Sequence, residues 1–343
     1  MKRATLVHNP TAGEGRHSAA ELGALLKRAG FRVSHVHAKK KRQLKKLRDA
    51  RGLIVVAGGD GTVHKVGRLV AGLDKTIAIL PLGTANNIAR SLGVEGEPRE
   101  IVSGLSRARK LTIDVGIAEG PWGRRVFMEG AGGGLFAEVM ARLESNHARQ
   151  RKRSSNPVTR FSRNGGSLEP ALHALAEALP DFKAKAFAVT IDGKRISGSF
   201  LLLEAMNMPY LGPNLQLGPD ADPSDGLLDF VLLSEGQRKE FEGYIHHRLD
   251  GGRDAPVLTV LKGKRLHCVW RGTKLHIDDK IALTGKGKSG KAPPEIDIHV
   301  EPRSLRFLIP RIKGGGHRAK PGAGRPVRAV RRQRRRFARI RHE

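Results

Sequence analysis

Residues 53–73, LIVVAGGDGTVHKVGRLVAGL, run from an apolar strand through three glycines around one aspartate into a helix. Glycines at such a junction let the backbone come close to something, because a residue without Cβ leaves the space free. In open α/β sheets that place, the carboxyl end of a strand, is where ligands bind. Gly58, Gly59 and Gly61 would turn backbone N–H groups toward phosphate oxygens, and the helix start that follows favours negative charge. Asp60 cannot attract phosphate itself; it suits such a loop by acting through Mg²⁺ or by orienting the loop. With no ligand, the same pentapeptide is a tight turn with Asp60 as the N-cap. The loop is neither a P-loop, since no lysine follows, nor GxGxxG.

Two more loops have the same setting. HNPTAGEG (8–15) leaves the strand ATLVH with Asn9, Gly13 and Gly15, and LPLGTANNIAR (80–90) leaves TIAILP with Gly83, Thr84 and Asn86. Loops that all follow strands of one parallel sheet bring their tips to one edge, so the three converge. Between them, Ser18 and Glu21 have capping-box spacing before a helix that Gly30 closes, FRVSHVH alternates as a strand, and KKKRQLKKLRDA reads as a basic helix. Strands alternating with helices predict an α/β domain on a parallel sheet with right-handed crossovers, over residues 1–112. From LTIDVGIAEG onward the chain turns β-rich with Gly and Asp punctuation, predicting an antiparallel second domain over 113–312. A basic helical insertion at about 137–180 interrupts it.

The last block, 313–343, holds twelve Lys or Arg and one acid and reads as a disordered tail. Net charge is +30, which predicts adhesion to anionic surfaces: acidic lipid headgroups, polyphosphate or nucleic acid. Aromatics at 4% leave no base-stacking wall. Cys268 stands alone, so no internal disulfide forms, and a reducing compartment with a buried thiol is expected. No stretch has the look of a signal peptide or approaches a membrane span, which predicts a cytoplasmic protein, peripheral on the inner face of a membrane. Oligomeric state has no signature here.

NPTAGEG, LIVVAGGDGTVHKV, LPLGTANNIARSLG and PDADPSDGLLDFVLL, in this order, resemble the diacylglycerol kinase catalytic-domain family, which includes bacterial lipid kinases and sphingosine kinases. The resemblance implies a Rossmann-like, phosphofructokinase-like nucleotide domain and a C-terminal β-sandwich, with ATP and lipid meeting in the cleft. It implies further that the final strands return toward the first domain. Asn9 and its turn would contact nucleotide phosphate; Gly59, Asp60, Gly61 and Thr62 would hold ATP phosphates and their metal; Thr84 and Asn86 would line the same site. A structural Mg²⁺ is implied at Asp225, with main-chain oxygens near Asp222 and Leu227. The family's Asp-Gly-Glu turn corresponds to HIDDKIAL, making Asp278 the expected general base with Asp279 beside it. The chain departs from the family at His64-Lys65 (commonly Asn-Glu), at Asn87 (commonly Asp) and at Lys280 (commonly Glu). Three readings stand: a lipid kinase, a soluble-substrate kinase akin to NAD kinase, and an inactive kinase fold binding nucleic acid through its tail.

Overall fold

Leu53–Gly58 is apolar or glycine at every position and buried throughout, as a central strand covered on both faces must be. In the computed structural model, which describes residues 1–153, 168–271, 274–283 and 292–311, it lies between two parallel neighbours. The order along the chain is β1 (Lys2–His8), α1 (Ala19–Arg28), β2 (Phe31–His37), α2 (Lys41–Lys45), β3 (Leu53–Gly58), α3 (Asp60–Val70), β4 (Thr76–Pro81), α4 (Asn87–Ser91) and α5 (Pro98–Gly104). The sheet runs β2–β1–β3–β4, all parallel. Ser18 caps α1 by accepting the Glu21 N–H at 3.1 Å, and Gly30, at φ +86°, lets the chain leave the helix.

The second half is antiparallel. It contains β5 (Arg109–Gly120), β6 (Gly123–Phe127), β7 (Gly130–Gly134), α6 (Leu135–Arg153), α7 (Glu169–Ala178), β8 (Lys185–Ile191), β9 (Lys194–Met206), β10 (Tyr210–Leu211), β11 (Leu215–Gln216) and β12 (Leu228–Ser234). It continues with α8 (Arg238–Leu249), β13 (Thr259–Gly263), β14 (Arg265–Val269), β15 (Leu275–Ile277), β16 (Lys280–Leu283) and β17 (Glu295–Ile309). The strands fold into a β-sandwich around Phe127, Phe230, Leu266, Trp270, Ile277 and Ile298. Helices α6, α7 and α8 cover its outer face through Phe136, Val139, Leu175 and Phe241.

The halves share strands. The 12 residues of β5 and the 15 of β17 pair with each other along almost their whole length. At its far end β17 lies parallel to β4, Arg306 opposite Thr76 and Phe307 opposite Ile77. The last described strand therefore returns to the first sheet, and Leu305, Phe307 and Ile309 join its core. Residues 154–167 of the expected insertion and the whole expected tail, 313–343, lie outside the described residues. No helix among the described residues is long and apolar enough to cross a membrane. Cys268 is buried, which pushes its thiol up to about 12.

Candidate active site

The three glycine loops meet in space because each leaves the carboxyl end of a neighbouring parallel strand. A Cβ on Gly83 would lie 2.5 Å from the Cα of Gly59, so the second and third loops touch backbone to backbone. The first loop reaches the third as well: Gly13 takes φ +57°, and a Cβ there would lie 3.0 Å from the Leu82 carbonyl oxygen. Asn9 uses its side-chain oxygen inside its own turn, accepting from the Thr11 hydroxyl at 3.1 Å. Asn86 closes the third loop from both sides, accepting the Gly83 N–H and donating to the Gly83 carbonyl. Gly58 ends β3 against the Thr62 side chain, which is itself buried in the first turn of α3. Thr84 lies in the bend between β4 and α4.

Asp60 is the first residue of α3, and Gly59 occupies the N-cap position. Its Oδ1 accepts the Ile88 N–H at 3.0 Å, so the carboxylate ties the second loop to the start of α4. Burial raises its pKa; the Ile88 amide and His64 offset part of that.

A cluster of ionisable groups lies next to the loops. The Asp278–Asp279 turn between β15 and β16 approaches Gly61, whose Cβ would lie 3.3 Å from Asp279 Oδ2. Asp278, at φ +49°, is buried, and both oxygens are engaged. Oδ1 accepts the Met128 and Glu129 N–H groups at 3.0 and 2.9 Å, and Oδ2 accepts Arg68 Nη2 at 2.7 Å. Beneath the turn, His276 Nδ1 donates to the Asp278 carbonyl at 2.9 Å, and Nε2 pairs with buried Glu204 at 2.9 Å. Asp279 is half-open and faces Lys280 at 3.2 Å. Burial alone would raise its pKa, but the close contact and charge of His64, with Lys280 and Arg68, hold it below the ordinary carboxylate range.

His64 and Glu129 complete the cluster. His64, 1% exposed, faces Glu129 Oε1 at 3.4 Å, Asp278 Oδ1 at 3.6 Å and Asp279 Oδ1 at 3.4 Å. Burial disfavours its cation, but the charges of Asp278 and Glu129 and the contact with Asp279 outweigh it and hold its pKa well above the ordinary value. Burial, with Asp60 nearby, pushes Glu129 up to about 7 despite the partial offset from His64. Sequence reading noted His64 as a departure and passed over Glu129 and Arg68. The usable signal for Glu129 was an acid set between the apolar end of β6 and the glycine strand β7, FMEGAGGG, where an exposed residue is out of place.

Asp60, His64, Asn87, Glu129, Asp278 and Asp279 form the polar end of a cavity of about 310 Å³. Its other end is apolar, walled by Phe136, Val139, Met140 and Leu143 of α6, by Leu175 of α7 and by Leu211. A second concavity of about 390 Å³ beside Asp225, Arg265 and His299 has a single acid in its wall and none of the glycine loops.

Asp222, Asp225 and Leu227 do not line this cavity. Their loop is held by Asp114, which accepts the Gly226 and Arg303 N–H groups at 2.7 Å each. Asp222 accepts from the Ser224 N–H and hydroxyl, its carbonyl faces the Asp225 N–H, and Asp225 accepts the Leu227 N–H. The Lys262 ammonium is 3.2 Å from both Asp225 and Asp229 and 3.1 Å from the Asp220 carbonyl. A resident divalent cation would have to displace that ammonium, so the donor set as folded does not fit one.

Three glycine loops at the carboxyl edge of a parallel sheet, with an acid cluster and a β-sandwich behind them, suit the chemistry of a phosphotransferase. Residues 3–118 match the diacylglycerol kinase catalytic domain, and residues 152–309 match the YegS C-terminal NAD kinase beta sandwich-like domain. The resemblance to diacylglycerol kinases therefore extends over both halves of the chain. It is 28% identical over 335 residues to the diacylglycerol kinase of Bacillus subtilis (strain 168), covering 91% of this chain and 98% of that protein. It is 28% identical over 264 residues to a Pseudomonas aeruginosa (strain UCBPP-PA14) protein named "Probable lipid kinase YegS-like", covering 75% and 76%. The crystal structure of a diacylglycerol kinase from Bacillus anthracis str. Sterne has the same fold, with TM-score 0.60 at 19% identity over 90% of this chain and 96% of that one.

Proposed function

We propose that the chain is an ATP- and Mg²⁺-dependent lipid kinase that phosphorylates a hydroxyl of a diacylglycerol-like or sphingoid-like lipid. The observation that carries this reading is the two-ended cavity: acids and glycine loops at one end, aliphatic and aromatic side chains at the other. A lipid has the same two ends, and an apolar wall binds its chain by taking it out of water. A soluble dinucleotide acceptor has no part that matches Val139, Met140 and Leu143, which argues against the NAD kinase reading.

The Mg²⁺–ATP complex is one substrate. Its phosphates lie against the N–H groups of the loops at Gly13, Gly58–Thr62 and Gly83–Asn86, with the positive end of α3 behind them. The ion supplies charge neutralisation on the transferring phosphoryl group. Asp60 ties the second loop to the third, Asn9 and Asn86 hold their own turns, and Asp278 holds Arg68 and the strand end at Glu129. Residues 1–112 bind nucleotide and 113–312 bind lipid. A net charge of +30 draws the protein to an anionic leaflet, where its substrate resides.

Met140→Trp tests the cavity by filling its apolar half. Lipid phosphorylation should fall at least about tenfold, while affinity for a fluorescent ATP analogue stays within about twofold. Lipid phosphorylation within about twofold of wild type would count against the assignment.

A further inference from the structure

We propose that Glu129 takes the proton from the acceptor hydroxyl and that His64 positions it to do so; this rests on the kinase reading. The geometry singles out Glu129 by elimination. A base needs a lone pair free at the cavity. Asp278 is the least available, since two amides and a guanidinium already bond its oxygens. Asp279 Oδ1 is also buried without a hydrogen bond, but His64, Arg68 and Lys280 surround the carboxylate with positive charge and hold it below the ordinary range, which makes it a weak base. Asp60 belongs to the phosphate loop and is bound to the Ile88 amide. Glu129 lines the cavity, and its Oε1 is buried and accepts no hydrogen bond, with His64 Nε2 at 3.4 Å. Its other oxygen is 3.5 Å from the Asn87 side-chain amide.

His64 lies between Glu129 on one side and Asp279 on the other, placed to tune both. Its ring carries no hydrogen bond within 3.3 Å and is enclosed by three carboxylates, the setting of an imidazolium held by charge. Arg68 faces Asp278 and Asp279, and Asp60 faces Glu129, completing the charged surroundings. Glu129, pushed up to about 7, is therefore balanced between proton donor and acceptor near neutral pH, as general-base catalysis requires. In the transfer, the substrate O–H bond breaks toward Glu129 Oε1. The hydroxyl oxygen's electron pair forms the bond to the γ-phosphorus, and the bond from that phosphorus to the β,γ-bridging oxygen breaks with its pair leaving on ADP. Neutral Glu129 releases its proton to water when the product departs.

The test is steady-state kinetics of the full chain with Mg²⁺–ATP and dioleoylglycerol, sphingosine or NAD⁺, from pH 5.5 to 8.5. E129Q should lower kcat about 10²–10⁴-fold with KM for ATP within about threefold, and E129D should recover part of the rate. H64N removes the imidazolium, so the acid limb of the kcat/KM profile should move to higher pH than the wild-type value of about 7. Circular dichroism on the same samples excludes unfolding as the cause. E129Q within about threefold of wild type, or H64N slowing the reaction with the limb unmoved, overturns the proposal. Transfer by wild type to NAD⁺ alone would end the lipid reading, while E129Q would still report on the base. No transfer to any acceptor would end both.

Discussion

A charged ring closed in by carboxylates persists only if the carboxylates remain, so the acid cluster stands or falls as a unit. Asp278 is its structural centre: two backbone N–H groups and Arg68 depend on one carboxylate. Asp278→Asn replaces an acceptor oxygen by an amide group that cannot satisfy them. Stability in urea should drop by about 2–4 kcal/mol, and a loss under about 1 kcal/mol would mean the contacts are idle. Glu129 has its own signature in stability. Its folded pKa of about 7 lies above the ordinary 4.5, so the folded state binds the proton more tightly. Its contribution to stability is therefore full below about pH 4.5 and lost as pH rises toward 7. E129Q should narrow the stability gap between pH 5 and pH 7.5, and an unchanged gap would contradict the burial argument. At this scale the sequence was partly legible. HIDDKIAL announced itself as an acid turn, but that Asp278 meets the amide of Glu129, 149 residues away, is tertiary information that no local pattern carries.

The elements that hold the site were easier to read, because their patterns are local. An all-apolar run ending in glycines predicts a central strand with a loop at its carboxyl end, and β3 and β4 are such strands. The contact between loops was foreseeable as convergence, not as a distance. Gly83→Ala would place a methyl carbon 2.5 Å from the Gly59 Cα, where backbone has no room to give. The loops should part, with ATP affinity falling at least about tenfold by calorimetry; affinity within about twofold would show that their contact is dispensable. At the Asp225 loop the family resemblance implies a metal. Its occupant, Lys262, comes from β13, 37 residues on in the chain, and was invisible there. Wild-type thermal stability should be indifferent to EDTA. Lys262→Met leaves buried Asp229 unpaired, so it should lower the melting temperature and make it rise again with millimolar Mg²⁺. An EDTA-sensitive wild type would restore the resident ion.

At the scale of the molecule, β5 and β17 tie both halves into one sheet system, so the nucleotide loops and the apolar cavity keep a common frame. The charge of the chain has a different role. Truncation after residue 313 removes eleven of its Lys and Arg, since Lys313 itself remains of the twelve in 313–343. Binding to phosphatidylserine vesicles should weaken, and the difference should vanish at high salt, because screening acts within about 8–10 Å. Activity on short-chain lipid in detergent should persist; equal vesicle binding by both forms would place the membrane contact elsewhere. The central claim concerns the acceptor. Incubating the protein with radiolabelled ATP and Mg²⁺, together with a lipid extract, with NAD⁺ or with no acceptor, and counting label in the organic and aqueous phases, addresses it directly. Label in the organic phase that depends on lipid, and disappears in E129Q, is the predicted result. Label confined to the aqueous phase with NAD⁺, or none in any phase, would contradict a lipid kinase.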